Sequence, residues 1–234
     1  MSETCLEIQL SNATLDSLRT GGYALFVLLP VVSSNQSGVP LVWLCRENYL
    51  ATIRVVIPET NLGYIATASI AADRTIAIGS QTPVACHQRV DVGASGTLST
   101  TTGELPGIYF DSASGAPRYT CGLARRGDGE PAPYCAFDLY PDLTVSLAPS
   151  PAILAFFATS RYRPGTYLEA SLGAGLYLPT PPGTTTRVGY DTGDGWQADA
   201  GAKASQVPSG TPLAERLIER PPPDVPLSRS LPGR

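Results

Sequence analysis

The sequence predicts an all-β protein: an antiparallel β-sandwich, or a closely related barrel, of roughly a dozen short strands with little helix. Three observations predict it. The 23 glycines and 22 prolines are spread along all 234 residues as punctuation, which leaves little room for helix. Between them stand short runs rich in β-branched and aromatic residues, several alternating apolar with polar. These runs recur about every 8–12 residues, the spacing expected of sandwich or barrel strands. Hydrophobic residues make up 43% of the chain and charged ones 15%, so a large core can be buried.

The strands follow in order. Segment 6–10 opens the series, and 23–32 and 39–45 flank the polar stretch 33–38 in the manner of a hairpin. Segment 50–57 is a strong strand stopped by Pro58, and 64–70, 75–78 and 88–92 come at close spacing. Segments 107–110, 119–123, 134–139, 143–147 and 152–158 continue the pattern. Segment 167–178 alternates around Gly173 and Gly175, where a bulge or close backbone approach is expected, and 187–190 closes the series. Short helical turns are expected at 16–19 and 213–218.

The organisation predicted is one sandwich domain over 1–218 and a flexible Pro/Arg-rich tail over 219–234, which begins in earnest at Pro221-Pro222-Pro223. The apolar run 23–32 is far too short to span a bilayer, and acids upstream with Pro30 inside it argue against a signal peptide. A soluble, cytoplasmic protein without a transmembrane segment is therefore expected. Net charge is −4, with 20 acids against 16 bases, so no basic field exists to hold nucleic acid.

Scarcity limits the chemistry. His87 is the sole histidine and Lys203 the sole lysine, which rules out multi-histidine metal sites and routes any Ser-His or Cys-His dyad through His87. Cys86 and His87 are neighbours and point to opposite faces of a strand, so they do not form a dyad by themselves. Cys121 and Cys135 flank a Gly/Pro loop and are either a cross-hairpin disulfide or two buried thiols. Cys5, Cys45 and Cys86 lack the paired spacing of a zinc site. Gly93-Ala94-Ser95-Gly96 and Gly173-Ala174-Gly175 lack the following helix that a nucleotide loop needs, so no cofactor and no metal are expected.

Five further features carry possible function. Arg126-Gly127-Asp128 has the letters of an adhesion tripeptide, which ordinary turn chemistry also explains. Asp191, Asp194 and Asp199, set around Gly193, Gly195 and Trp196, could hold Ca²⁺ or simply form Asx-turns; Asp199 lies outside the residues described below. Trp43 and Trp196 are stacking candidates or core residues. Arg125 and Arg126 fall near a predicted loop, and Glu169 shares one strand face with Tyr167.

The first functional reading is a non-enzymatic recognition protein that binds a glycan, lipid headgroup or protein surface. Its binding residues would be Trp43, Trp196, Arg125, Arg126, Asp191 and Asp194. The alternative is a cofactor-independent isomerase, cyclase or hydrolase in an apolar β cavity, with His87, Glu169 and Tyr167 as acid and base. A third is an assembly component that docks through an edge strand or the tail.

Overall fold

The computed structural model describes residues 3–103, 105–198 and 203–222. β1 (Thr4–Leu10) leads through α1 (Asn12–Thr20) into β2 (Ala24–Leu28), β3 (Val31–Ser33), β4 (Val39–Pro40) and β5 (Val42–Arg46). β6 (Thr52–Ile57), β7 (Asn61–Ala66), β8 (Ser80–Val84), β9 (Gln88–Val92), β10 (Leu98–Thr102) and β11 (Ile108–Ser112) follow. Then come β12 (Tyr119–Arg126), β13 (Pro131–Pro133), β14 (Cys135–Leu139), β15 (Thr144–Pro149) and β16 (Ala152–Ala158). β17 (Gly175–Pro179), β18 (Thr185–Asp191), β19 (Gly195–Ala198), β20 (Ser205–Val207), α2 (Ala214–Leu217) and β21 (Ile218–Glu219) complete the described chain.

The strands form four antiparallel-rich sheets, ordered β19-β18-β1-β6, β10-β9-β11-β15-β3-β21, β20-β17-β16-β2-β5, and β4-β14-β12-β7-β8 with β13 added to β12. Parallel pairs are few: β1 with β18, β9 with β11, and β3 with β21. The all-β, sandwich-like class expected from the sequence is what the protein has, and none of these sheets closes into a barrel. The strand count exceeds the roughly dozen expected because several pieces are two to four residues long, too short to carry a period-2 signal.

The main core collects inward residues from all four sheets, among them Leu6 and Ile53, Val27 and Ile153, Phe110 and Leu147, and Ile65 and Phe137. Two sheets are buried on both faces. In β2 and β16, Val27 and Ala155 face the main core, while Phe26 and Phe156 stack at 5.5 Å on the other side, in a second cluster. In β7, β12 and β14, Tyr64, Ala124 and Ala136 belong to a third cluster with Leu41 and Ile76. Double burial explains the continuous apolar run 23–32: it is an internal strand, β2, which ends before Pro30 and passes as β3 to another sheet.

Local chemistry sets the breaks. The hairpin expected across 33–38 exists as β2 pairing with β5, Leu25 opposite Arg46, but its connection is wider than the polar stretch because β3 and β4 are lent to other sheets. Segment 75–78 forms only a single bridge, Thr75 to Thr166, and 167–172 is bridged at Tyr167 and Ala170 before the strand resumes at Gly175. α1 is longer than the turn expected at 16–19, because Ser11 caps it by accepting the Thr14 backbone N–H at 3.1 Å. Leu15 and Leu18 anchor that helix in the core. Among the described residues no helix is long and apolar enough to cross a membrane. Of the expected tail, Ile218–Glu219 pairs with β3 and Pro221 and Pro222 lie in a surface groove; 223–234 fall outside the described residues.

Candidate functional site

β12 runs through the middle of its sheet and emerges at Arg125, whose backbone carbonyl accepts the indole N–H of Trp43 at 3.2 Å. Its guanidinium is half-buried and lies 5.7 Å from the ring centroid of Tyr134. Its Nε–H donates to Asn61 Oδ1 at 2.7 Å, and the Tyr134 hydroxyl donates to the same oxygen at 3.0 Å. Asn61 is itself buried and donates from Nδ2 to the Glu59 carbonyl at 3.4 Å, which fixes the orientation of its amide. Three neighbours therefore hold one arginine by its backbone, its inner nitrogen and its face.

The outer edge of that guanidinium is unspent. Among the described residues no acceptor takes a hydrogen bond from Nη1 or Nη2, and no carboxylate pairs with it. The arm lines a cleft of about 400 Å³. Pro58, Pro149, Pro151 and Pro182 make its walls, with Ile57 and Ala152. Thr4, Ser150 and Thr180 add hydroxyls, Cys86 stands at one end, and Glu59 is the single acid of the lining. One base and one acid cancel in net charge, and the planar donors of the arginine have the geometry that matches a carboxylate.

Tyr64, Cys121, Tyr134 and Cys135, in or beside the sheet that carries Arg125, are deeply buried. Burial pushes the Tyr64 phenol and the Cys121 thiol well up, and it raises the Cys135 thiol to about 12. Burial also raises Tyr134, despite the opposing charge of Arg125 beside it. Cys121 and Cys135 are free, buried thiols, and the Cys135 sulfur accepts the Leu123 N–H at 3.3 Å. Gly122 permits this packing, since a Cβ there would sit 2.1 Å from the Cys135 carbonyl oxygen.

The other residues singled out from the sequence lie elsewhere. Trp43 is fully buried and serves the site from below; Trp196 is buried in a cluster with Phe157 and Tyr190, its indole N–H on the Ala174 carbonyl. Neither ring offers a surface for stacking. Arg126 is exposed at the end of β12, and Asp128 of the tripeptide is forked by Arg46 at 2.8 and 2.5 Å. Asp191 accepts from Thr14 Oγ1 at 2.6 Å and, in an Asx-turn, from the Gly193 and Asp194 N–H groups; the Thr14 bond first and the turn bonds second lower its carboxyl below the usual range. Asp194 is exposed beside it, and no cluster of metal-ligating side chains occurs among the described residues.

The three residues of the enzymatic alternative are not brought together in any of the three clefts. His87 lies in a groove of about 280 Å³ with Pro106, Pro221 and Pro222, its backbone held at φ 64° by bonds to Gly107 and Gly103. Tyr167 and Glu169 line none of the three clefts. The remaining cleft, about 390 Å³ under the 127–131 loop, is lined by Trp43, Cys45 and Ile76, with Asp128 and Glu130 as its acids. Sequence reading reached Arg125 but missed Asn61 and Tyr134, because 64 residues separate Asn61 from its partner arginine and no local pattern links them. No protein-family model, no curated protein and no solved structure matches this chain.

Proposed function

We propose that the protein is a recognition module that binds an extended polypeptide segment bearing a carboxylate side chain, in the proline-walled cleft at Arg125. One observation carries the reading: the arginine is held at its backbone by Trp43, at Nε by Asn61 and at its face by Tyr134, while its two outer nitrogens have no partner among the described residues. Donors that are oriented before binding lose little freedom when an acceptor arrives, which favours a bidentate carboxylate contact. The walls favour a peptide over the other ligand classes. The lining has no aromatic ring on which a sugar could stack, and Arg125 is its only base, too few for a lipid phosphate cluster. Proline and aliphatic surfaces suit an extended chain, and the hydroxyls of Ser150 and Thr180 can serve its backbone.

The test is an array of short, acetylated and amidated proline-containing peptides, each synthesised with Asp and with Asn at the central position. Binding to the Asp member should exceed binding to the Asn member by about tenfold, the effect of one charge-assisted fork worth about 1.4 kcal/mol. Arg125→Gln should erase the difference. Equal binding of both members, or an unchanged preference in Arg125→Gln, would reject the assignment.

A further inference from the structure

We infer that copies of this chain associate head to tail, the turn 140–143 of one copy entering the Arg125 cleft of the next. The inference rests on the reading of Arg125 as a receptor for a peptide carboxylate, and it names the carrier. Its first support is what that turn shows to solvent. The Leu143 N–H donates to the Tyr140 carbonyl at 3.2 Å, with Pro141 second and Asp142 third at φ 58°, the pattern of a type II turn. Tyr140 is 45% and Leu143 53% exposed, among the few large apolar side chains the described chain leaves open. Asp142 between them is exposed and has no ion-pair partner among the described residues. Arg118 lies 5.1 Å from the Tyr140 ring centroid and is itself held on Asp138 at 2.6 Å, so the ring is steadied before any contact.

Complementarity and placement supply the second support. The proline and aliphatic walls of the cleft suit Tyr140 and Leu143, and the outer nitrogens of Arg125 suit the single carboxylate between them. No other exposed acid of the described chain stands between two such side chains in one turn. Leu139 pairs with Tyr119 at the start of β12, so the turn follows at that end, whereas Arg125 stands at the other. The strand advances about 3.3 Å per residue, which puts the two about 20 Å apart, and a turn cannot fill its own cleft. A plug and a socket at opposite ends make a heterologous contact, which repeats as an open row of molecules or closes as a ring. A four-residue plug covers less than the ~1,200 Å² of a stable complex, so the association is weak and depends on concentration.

Sedimentation velocity on the full-length chain tests this. As protein is raised from about 10 µM to about 1 mM, the weight-average mass should climb above that of the monomer. Asp142→Arg and Arg125→Asp should each hold it at the monomer. Mixing these two variants in equal amounts should restore the climb, because each reversed charge then meets its opposite on the neighbouring copy. Restoration needs both variants folded, so it separates a lost charge match from a lost fold. Asp142→Asn and Leu143→Ser alter exposed side chains only, and each should weaken association about tenfold.

A constant monomer mass up to about 1 mM overturns the inference. So does a climb that Asp142→Arg leaves unchanged, or a mixture of the two folded variants that stays monomeric. The recognition reading is tested separately with acetyl-Tyr-Pro-Asp-Leu-amide and its Asn counterpart. If the chain is monomeric yet binds the Asp peptide about tenfold more tightly, and Arg125→Gln erases the difference, the receptor stands and only the partner is wrong. If the chain is monomeric and neither peptide is preferred, both readings fall.

Discussion

Two arginines, Arg46 at the end of β5 and Arg125 near the end of β12, show how differently one side chain can be used. Arg46 spends both edges of its guanidinium: Nε and Nη2 fork Asp128, and Nη1 donates to the Arg54 carbonyl. Among the described residues Arg125 spends only Nε, on a neutral amide oxygen, and it lines a cleft. The first is a staple between a loop and a strand; the second keeps outer donors without a partner among the described residues. A sequence shows two arginines, whereas the fold shows which donors are left over, and leftover donors held rigid beside a cavity are what distinguish a binding group from a structural one.

The largest disturbance removes what the two share. Trp43 lines the cleft beneath the Asp128 loop and also holds the Arg125 backbone, so Trp43→Ala should cost about 3–5 kcal/mol in urea unfolding and abolish peptide binding with it. Converting one arginine into the other's situation is the sharper test. Asn61→Asp places a carboxylate on Arg125 Nε and the Tyr134 hydroxyl, and calorimetry should show peptide affinity reduced about tenfold or more with the fold retained. Asn61→Leu instead leaves both donors unpaired in a buried place and should cost about 1–3 kcal/mol of stability.

Alkaline pH separates the buried sheet that carries Arg125 from the partly exposed ion pair of Arg46 and Asp128. The Cys135 thiol is raised in the folded protein from 9.0 to about 12, so its stabilising effect is complete below pH 9 and is lost as pH rises toward 12, where the unfolded chain ionises first. The urea midpoint should fall across that window, and Cys135→Ala should flatten the slope. The smallest effect belongs to the staple. Asp128→Asn breaks a pair whose acid is 55% exposed, and unfolding should change by about 1 kcal/mol or less, with peptide binding untouched.

The fold class was legible because glycine, proline and short apolar runs are local signals, and β9 and β16 fall on the segments read from them. Partnerships were not legible. Nothing within 23–45 tells that β3 and β4 leave for different sheets, since that is decided by β15, β21 and β14 far along the chain. The site divides along the same line. Arg125 stands out as a base near a loop, but Asn61 looks like an ordinary polar residue at a strand start, and Trp43 reads as a surface candidate until the sheets around it are placed. Residues Tyr167, Glu169 and His87 attracted notice through scarcity and alternation, which carry no information about convergence.

The parallel pairing of β1 with β18 has a consequence for how the chain is made. Cys5 faces Thr185 across that pair, so β1 meets one of its two neighbours only after about 180 further residues have been made. At about 5–20 residues per second, the interval on the ribosome is about ten seconds or more. β6 can cover one edge of β1 early, while the other edge, flanked by Leu6 and Ile8, stays open to pairing with whatever strand is nearby. The late arrival of β18 therefore leaves one edge of β1 without its native partner through most of synthesis.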